Sequence, residues 1–202
     1  MKQMPKLLLV LSIFFLAYFV GEVICIIVSF KVPPVPTNII HIAYSLAYLS
    51  LAVWMMSHYG NLKRPSIYII IATLLGITNK LFTFWAQGNA QMESVSFALA
   101  STAIYLPFLI FKCMGFFKLA KQLPRHSMSR GMAVVVPWAE LSLIILPSVA
   151  AILNEEGVIA YSHNVYSGIV EVLYLIELLA IGLFCLCFPH RADAPEYPRT
   201  ND

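Results

Sequence analysis

The chain alternates long apolar runs with short polar breaks, and the runs are long enough to be helices that cross a bilayer. Six spans are predicted, over about 7–30, 39–58, 67–87, 92–113, 131–153 and 165–188. The breaks carry the residues that end helices. Pro33, Pro34 and Pro36 form a stiff connector, Lys63, Arg64 and Pro65 a loop, and Pro124 closes the fourth span. Pro137 and Pro147 interrupt the fifth span and, with Pro107, predict bending. Residues 1–189 read as one transmembrane domain, and residues 190–202 as a disordered polar tail. The first run is too long for the apolar part of a signal peptide and lacks a small-residue cleavage site, so it reads as a retained span.

The third span breaks the apolar pattern in an ordered way. At 100° per residue, Thr73, Gly76, Lys80, Thr83 and Gln87 fall within an arc of about 80°, and Asn79 widens it to about 120°. A stripe with a lysine in it cannot face lipid, because a charge deep in hydrocarbon costs several kcal/mol. The stripe is predicted to face other helices or trapped water, with acidic groups answering Lys80.

Composition narrows the class. The chain has 202 residues, 60% hydrophobic and 11% charged, with a mean hydropathy of +0.80. Soluble domains carry about 25% charged residues, so the expected fold is an all-α integral membrane protein, a bundle of six transmembrane helices embedded in the lipid bilayer. The net charge is only +3, and no basic run interleaves with aromatics, which excludes nucleic acid as a partner. Cys25, Cys113, Cys185 and Cys187 show no metal-binding spacing and read as small buried hydrophobes. No metal and no cofactor is expected.

Lysine and arginine placement predicts orientation. With a cytoplasmic N-terminus, the inner segments hold Lys2, Lys6, Lys63, Arg64, Lys112, Lys118, Lys121, Arg125, Arg130, Arg191 and Arg199, eleven residues against Lys31 alone outside. Both termini are then cytoplasmic and the membrane is the plasma membrane. On this frame the polar residues gather in the outer halves of the spans. Glu22 lies with Tyr18, Cys25 and Ser29 on the first, and His41, Tyr44, Ser45 and Tyr48 share a face of the second. Ser94, Ala98, Ser101 and Tyr105 share a face of the fourth, Glu140 lies at mid-depth in the fifth, and Glu171, Tyr174 and Glu177 lie on the sixth. The inner halves are apolar, as in LLLVLSIFF and LLAIGLFCLCF. The expectation is a polar chamber on the extracytoplasmic side above an apolar plug.

The site residues expected there are Glu22, Tyr48, Asn79, Lys80, Glu140, Glu171, Tyr174 and Glu177. Lys80 has two readings: an anchor for a substrate carboxylate or phosphate, and a structural ion pair with Glu140 or Glu171. Asn79 fits a hydrogen bond between helices. Glu140 stands three residues after Pro137, which suits a carboxyl beside a hinge. Four glutamates against one lysine cannot all be ionised cheaply in such a place. The residues therefore predict a small-solute site, with transport and proton coupling. Two other classes use the same residues: a sensor or assembly subunit that docks on another membrane protein or on its own copy, and an enzyme acting on a lipid or isoprenoid. No serine-hydrolase elbow, HExxH or glycine-rich phosphate loop is present, which weighs against catalysis. A void of about 300 Å³ or more between the helices favours the solute site, and tight closure favours the subunit.

Overall fold

A computed structural model describes residues 5–28, 34–87, 94–155 and 163–188. Among the described residues the chain is all helical: α1 (Lys6–Ile27), α2 (Pro34–His58), α3 (Lys63–Gln87), α4 (Ser94–Gln122), α5 (Met128–Glu155) and α6 (His163–Cys187), with one short 3-10 turn at Gly60–Leu62. Each of the six contains a stretch long and apolar enough to cross a membrane. The tail, Ser29 and the turn at 88–90 lie outside the described residues, as does the side chain of Gln87.

All six predicted spans are helices, but several bounds move. The helices α2 and α3 start earlier than the apolar runs do, and they take in Pro34, Pro36 and Pro65. A proline in the first helical turn forfeits no intrahelical bond, because those N–H groups have no partner there. The predicted interruption of the fifth span is absent. The helix α5 runs unbroken past Pro137 and Pro147, as α4 does past Pro107. Neighbouring helices of a membrane bundle can stabilise the one backbone gap that each proline leaves. The helix α4 runs past the apolar stretch that ends at Cys113 to Gln122, as expected of a span that continues as a basic amphipathic end through Lys118 and Lys121 and closes at Pro124.

The helices form a ring. Each of α2 to α6 packs on its sequence neighbour, α1 packs along α6, and a narrow contact between α1 and α2 closes the circle. In a bilayer, lipid would leave little hydrophobic drive between such helices, and close packing and buried hydrogen bonds would hold the ring together. Small residues bring backbones near. Gly115 on α4 sits against Ile69 and Pro65 of α3, where an added Cβ would stand 2.7 Å from Ile69 Cγ1 and 3.1 Å from the Ile69 backbone nitrogen. Gly182 on α6 makes the same room for Leu16 of α1.

The centre of the ring differs along its length. Toward the end that holds the 58–63 and 122–128 connections it is packed with Leu8, Leu51, Met55, Phe116, Leu119, Ile181 and Phe184, all fully buried. Toward the opposite end the lining turns polar. The apolar plug and the polar half predicted from the sequence are both present.

Candidate functional site

Three ionisable side chains meet where the plug ends. The Lys112 ammonium donates to Glu140 Oε2 at 2.6 Å and to Glu177 Oε1 at 2.6 Å. All three residues are buried. They come from α4, α5 and α6, so the cluster ties three helices of the ring together. At 1.5 Å per residue Lys112 stands about 15 Å from the end of α4, well inside the bundle.

Tyrosines complete the hydrogen bonding. Tyr44 and Tyr48 on α2 both donate to Glu177 Oε1, at 2.7 Å and 2.8 Å, and Tyr105 on α4 donates to Glu140 Oε1 at 2.9 Å. Glu177 Oε1 thus accepts three donors, whereas Glu140 takes one on each oxygen. The rings of Tyr48 and Phe108 also lie 5.4 Å and 5.2 Å from the ammonium, within cation–π range. A buried charge is tolerable only when it is paired and hydrogen-bonded, and this cluster meets that condition.

Above the cluster lies a cavity of about 230 Å³. Its walls come from α2 to α6 and include His41, Tyr105, Phe108, Lys112, Glu140 and Glu177. Lys80 and Asn79 of α3 line it as well. The Asn79 carboxamide oxygen accepts from Ser101 Oγ of α4 at 3.2 Å, an interhelical bond of the expected kind. Thr73 and Thr83 return their hydroxyls to carbonyls of their own helix, at Ile69 and Asn79, and so need no partner across the bundle. Lys80 is partly buried and differs from Lys112 in one respect: among the described residues no carboxylate stands at ion-pairing distance from its ammonium.

Of the eight residues expected at the site, Tyr48, Asn79, Lys80, Glu140, Tyr174 and Glu177 line this one cavity. Glu22 and Glu171 are not among its lining residues. Glu22 is half-buried on α1, one turn from Tyr18, and Glu171 is exposed on α6. Tyr174 lines the cavity while donating to Tyr18 at 3.1 Å, with His41 Nδ1 at 3.4 Å.

The expected ion pair of Lys80 with Glu140 or Glu171 is not formed, since Lys112 holds Glu140. The sequence places Lys112 among the cytoplasmic residues, and the structure buries it instead, because it lies on the face of α4 that meets Glu140 and Glu177. Ten further helical residues separate it from the end of α4. A signal for it exists in the sequence. The face Ser101–Tyr105 continues at helical spacing through Phe108 to Lys112. The basic character of the following residues hides it, because Lys118 and Lys121 make the whole segment look interfacial. The expectation of four acids around one lysine becomes, at the cavity, two acids and two lysines.

No protein-family model, curated protein or solved structure matches this chain. Function therefore has to be argued from the site.

Proposed function

We propose that the chain is a plasma-membrane protein with both termini in the cytoplasm, and that its cavity takes a small solute from the extracytoplasmic side with proton coupling. One observation carries this reading. A buried lysine holding two carboxylates forms one wall of a cavity, and a second lysine without an ion pair among the described residues lines another. Fixing helix register would pair each lysine with one acid, whereas here both acids sit on Lys112 and Lys80 is left without one among the described residues. A void beside unmatched charge is costly for a scaffold and useful for a binding site. At about 230 Å³ the cavity is smaller than the roughly 300 Å³ expected of a solute site, so the reading holds only for a small solute.

Orientation rests on charge. Removing Lys112 from the inner set leaves ten lysines and arginines there against one outside. The cavity lies in the half of the bundle away from the basic connections. A cysteine placed at Asn61, in the exposed 58–63 connection, should react with a membrane-impermeant maleimide in inverted vesicles and stay unreacted in intact cells. Labelling in intact cells would reverse the orientation.

The solute reading is tested on the purified protein by thermal stabilisation against small acids, amines and neutral polar solutes. At least one class should raise the melting temperature saturably. Lys80→Met should shift that response to about ten- to hundred-fold higher solute concentration while leaving yield and monodispersity unchanged. An undiminished response in Lys80→Met would remove Lys80 from the site.

A further inference from the structure

We propose that the solute is a small monocarboxylate anion bound on Lys80, and that each anion enters with one proton, which comes to rest on Glu140. This rests on the solute-site reading above and specifies its ligand.

Fully ionised, Lys80, Lys112, Glu140 and Glu177 sum to zero around the cavity. A cation would be repelled by Lys80 and would find both carboxylates already held by Lys112 and the tyrosines. A neutral solute would leave Lys80 as unmatched as before. A monoanion satisfies Lys80 but leaves the cavity at −1, which is costly in a low-dielectric interior. One proton restores neutrality. A dianion such as hydrogen phosphate would need two protons or a second open cation, and among the described residues Lys112 is already occupied.

Geometry then places the proton. Facing Glu140 from α4 are Lys112, Tyr105 and the nearby Cys113, and from α6 Glu177. Tyr48 approaches from α2, and Lys80 on α3 feels the Glu140 charge across the cavity. His41, Tyr44 and Tyr174 surround Glu177 instead. Glu177 is held by three donors on one oxygen, whereas Glu140 has one donor on each and also lies within hydrogen-bonding reach of Glu177, which can accept from it once it is protonated. Tyr105 can turn its hydroxyl and accept from a protonated Glu140, so protonation needs no helix to move. The balance is simple. A carboxylate and a proton leave the aqueous phase, the carboxylate pairs with the Lys80 ammonium, Glu140 becomes a carboxylic acid, and no bond of the solute is broken.

The remaining wall selects the tail. Ile69, Ala72, Phe108 and Leu143 give an apolar surface beside the polar end at Asn79 and Lys80. A cavity of about 230 Å³ suits an acid with a short apolar tail.

Propionate, propionamide and propylamine are the probes, titrated calorimetrically into the intact protein in mild detergent. Buffers of different ionisation enthalpy count the protons taken up. Propionate should bind saturably with about one proton per anion, and by linkage its affinity should rise as pH falls, up to about ten-fold per unit. Lys80→Met should weaken it about ten- to hundred-fold, the loss of a charged hydrogen bond. Glu140→Gln should bind propionate without proton uptake and with an affinity flat in pH. Zero proton uptake by the native protein overturns the coupling, whatever the variants do. Binding of propylamine or propionamide in place of propionate overturns the anion assignment and leaves a solute site standing. No saturable heat from any of the three overturns the solute reading itself.

Discussion

Lys112→Met is expected to be the most damaging single substitution in the protein. It removes the one cation between Glu140 and Glu177 and leaves two carboxyls facing each other in the buried centre of the ring. Breaking a buried ion cluster by deleting one partner costs about 3–5 kcal/mol, because the other charges lose their compensation but not their burial. Native stabilities are about 5–15 kcal/mol, so the loss is a large part of the whole. The variant should show aggregated profiles on fluorescence-detected size exclusion and a strongly lowered melting temperature. The triple variant Lys112→Met, Glu140→Gln, Glu177→Gln should recover most of that stability. Its core is uncharged, and the Gln carbonyls can still accept from Tyr44, Tyr48 and Tyr105. Because it keeps Lys80, the triple variant should still bind propionate but take up no proton, which separates the structural from the proton-coupling contribution of the cluster. A monodisperse Lys112→Met protein with native melting would mean that the ammonium does not bridge the two carboxylates.

Gly115→Ala should destabilise, whereas Gly131→Ala should not, and the contrast in sign is the test. Both positions are helical, and alanine is the better helix former by about 1 kcal/mol. At Gly131 nothing lies within 4 Å of the added methyl, so only the propensity gain remains. At Gly115 the methyl meets Ile69 Cγ1 at 2.7 Å, the Ile69 backbone nitrogen at 3.1 Å and the Pro65 carbonyl at 3.3 Å. The Ile69 side chain can rotate, but the backbone atoms cannot yield unless α3 and α4 separate. Overpacking of this kind costs about 1–3 kcal/mol, enough to outweigh the propensity gain. The consequence reaches the cavity, since α3 carries Lys80 and α4 carries Lys112. Denaturation midpoints in detergent should fall for Gly115→Ala and hold or rise for Gly131→Ala. A stabilised Gly115→Ala would show that the two helices do not approach so closely.

Much of the site was legible because hydrocarbon is an unforgiving solvent. A lysine, an asparagine and glutamates inside apolar runs have few places to go, so their helical phase largely gives their direction. That logic brought Asn79, Lys80, Glu140, Tyr174 and Glu177 to one cavity. Glu22 and Glu171 stand off the lining of that cavity, half-buried on α1 and exposed on α6. The same logic erred at Lys112, where basic residues later on α4 disguised a buried cation as an interfacial one.

The sequence by itself determined the six apolar helices, their order, the polar stripe of α3, and the division into an apolar and a polar half. These depend on local quantities, the length of an apolar run and the phase of its polar residues, which the chain carries in one dimension. Only the tertiary structure decided who pairs with whom. Lys112 and not Lys80 takes Glu140 and Glu177, because the ring brings α4, α5 and α6 together at that depth and leaves α3 across the void. Pairing depends on distances between helices, and those are set by close approaches such as Gly115 on Ile69, which no periodicity encodes.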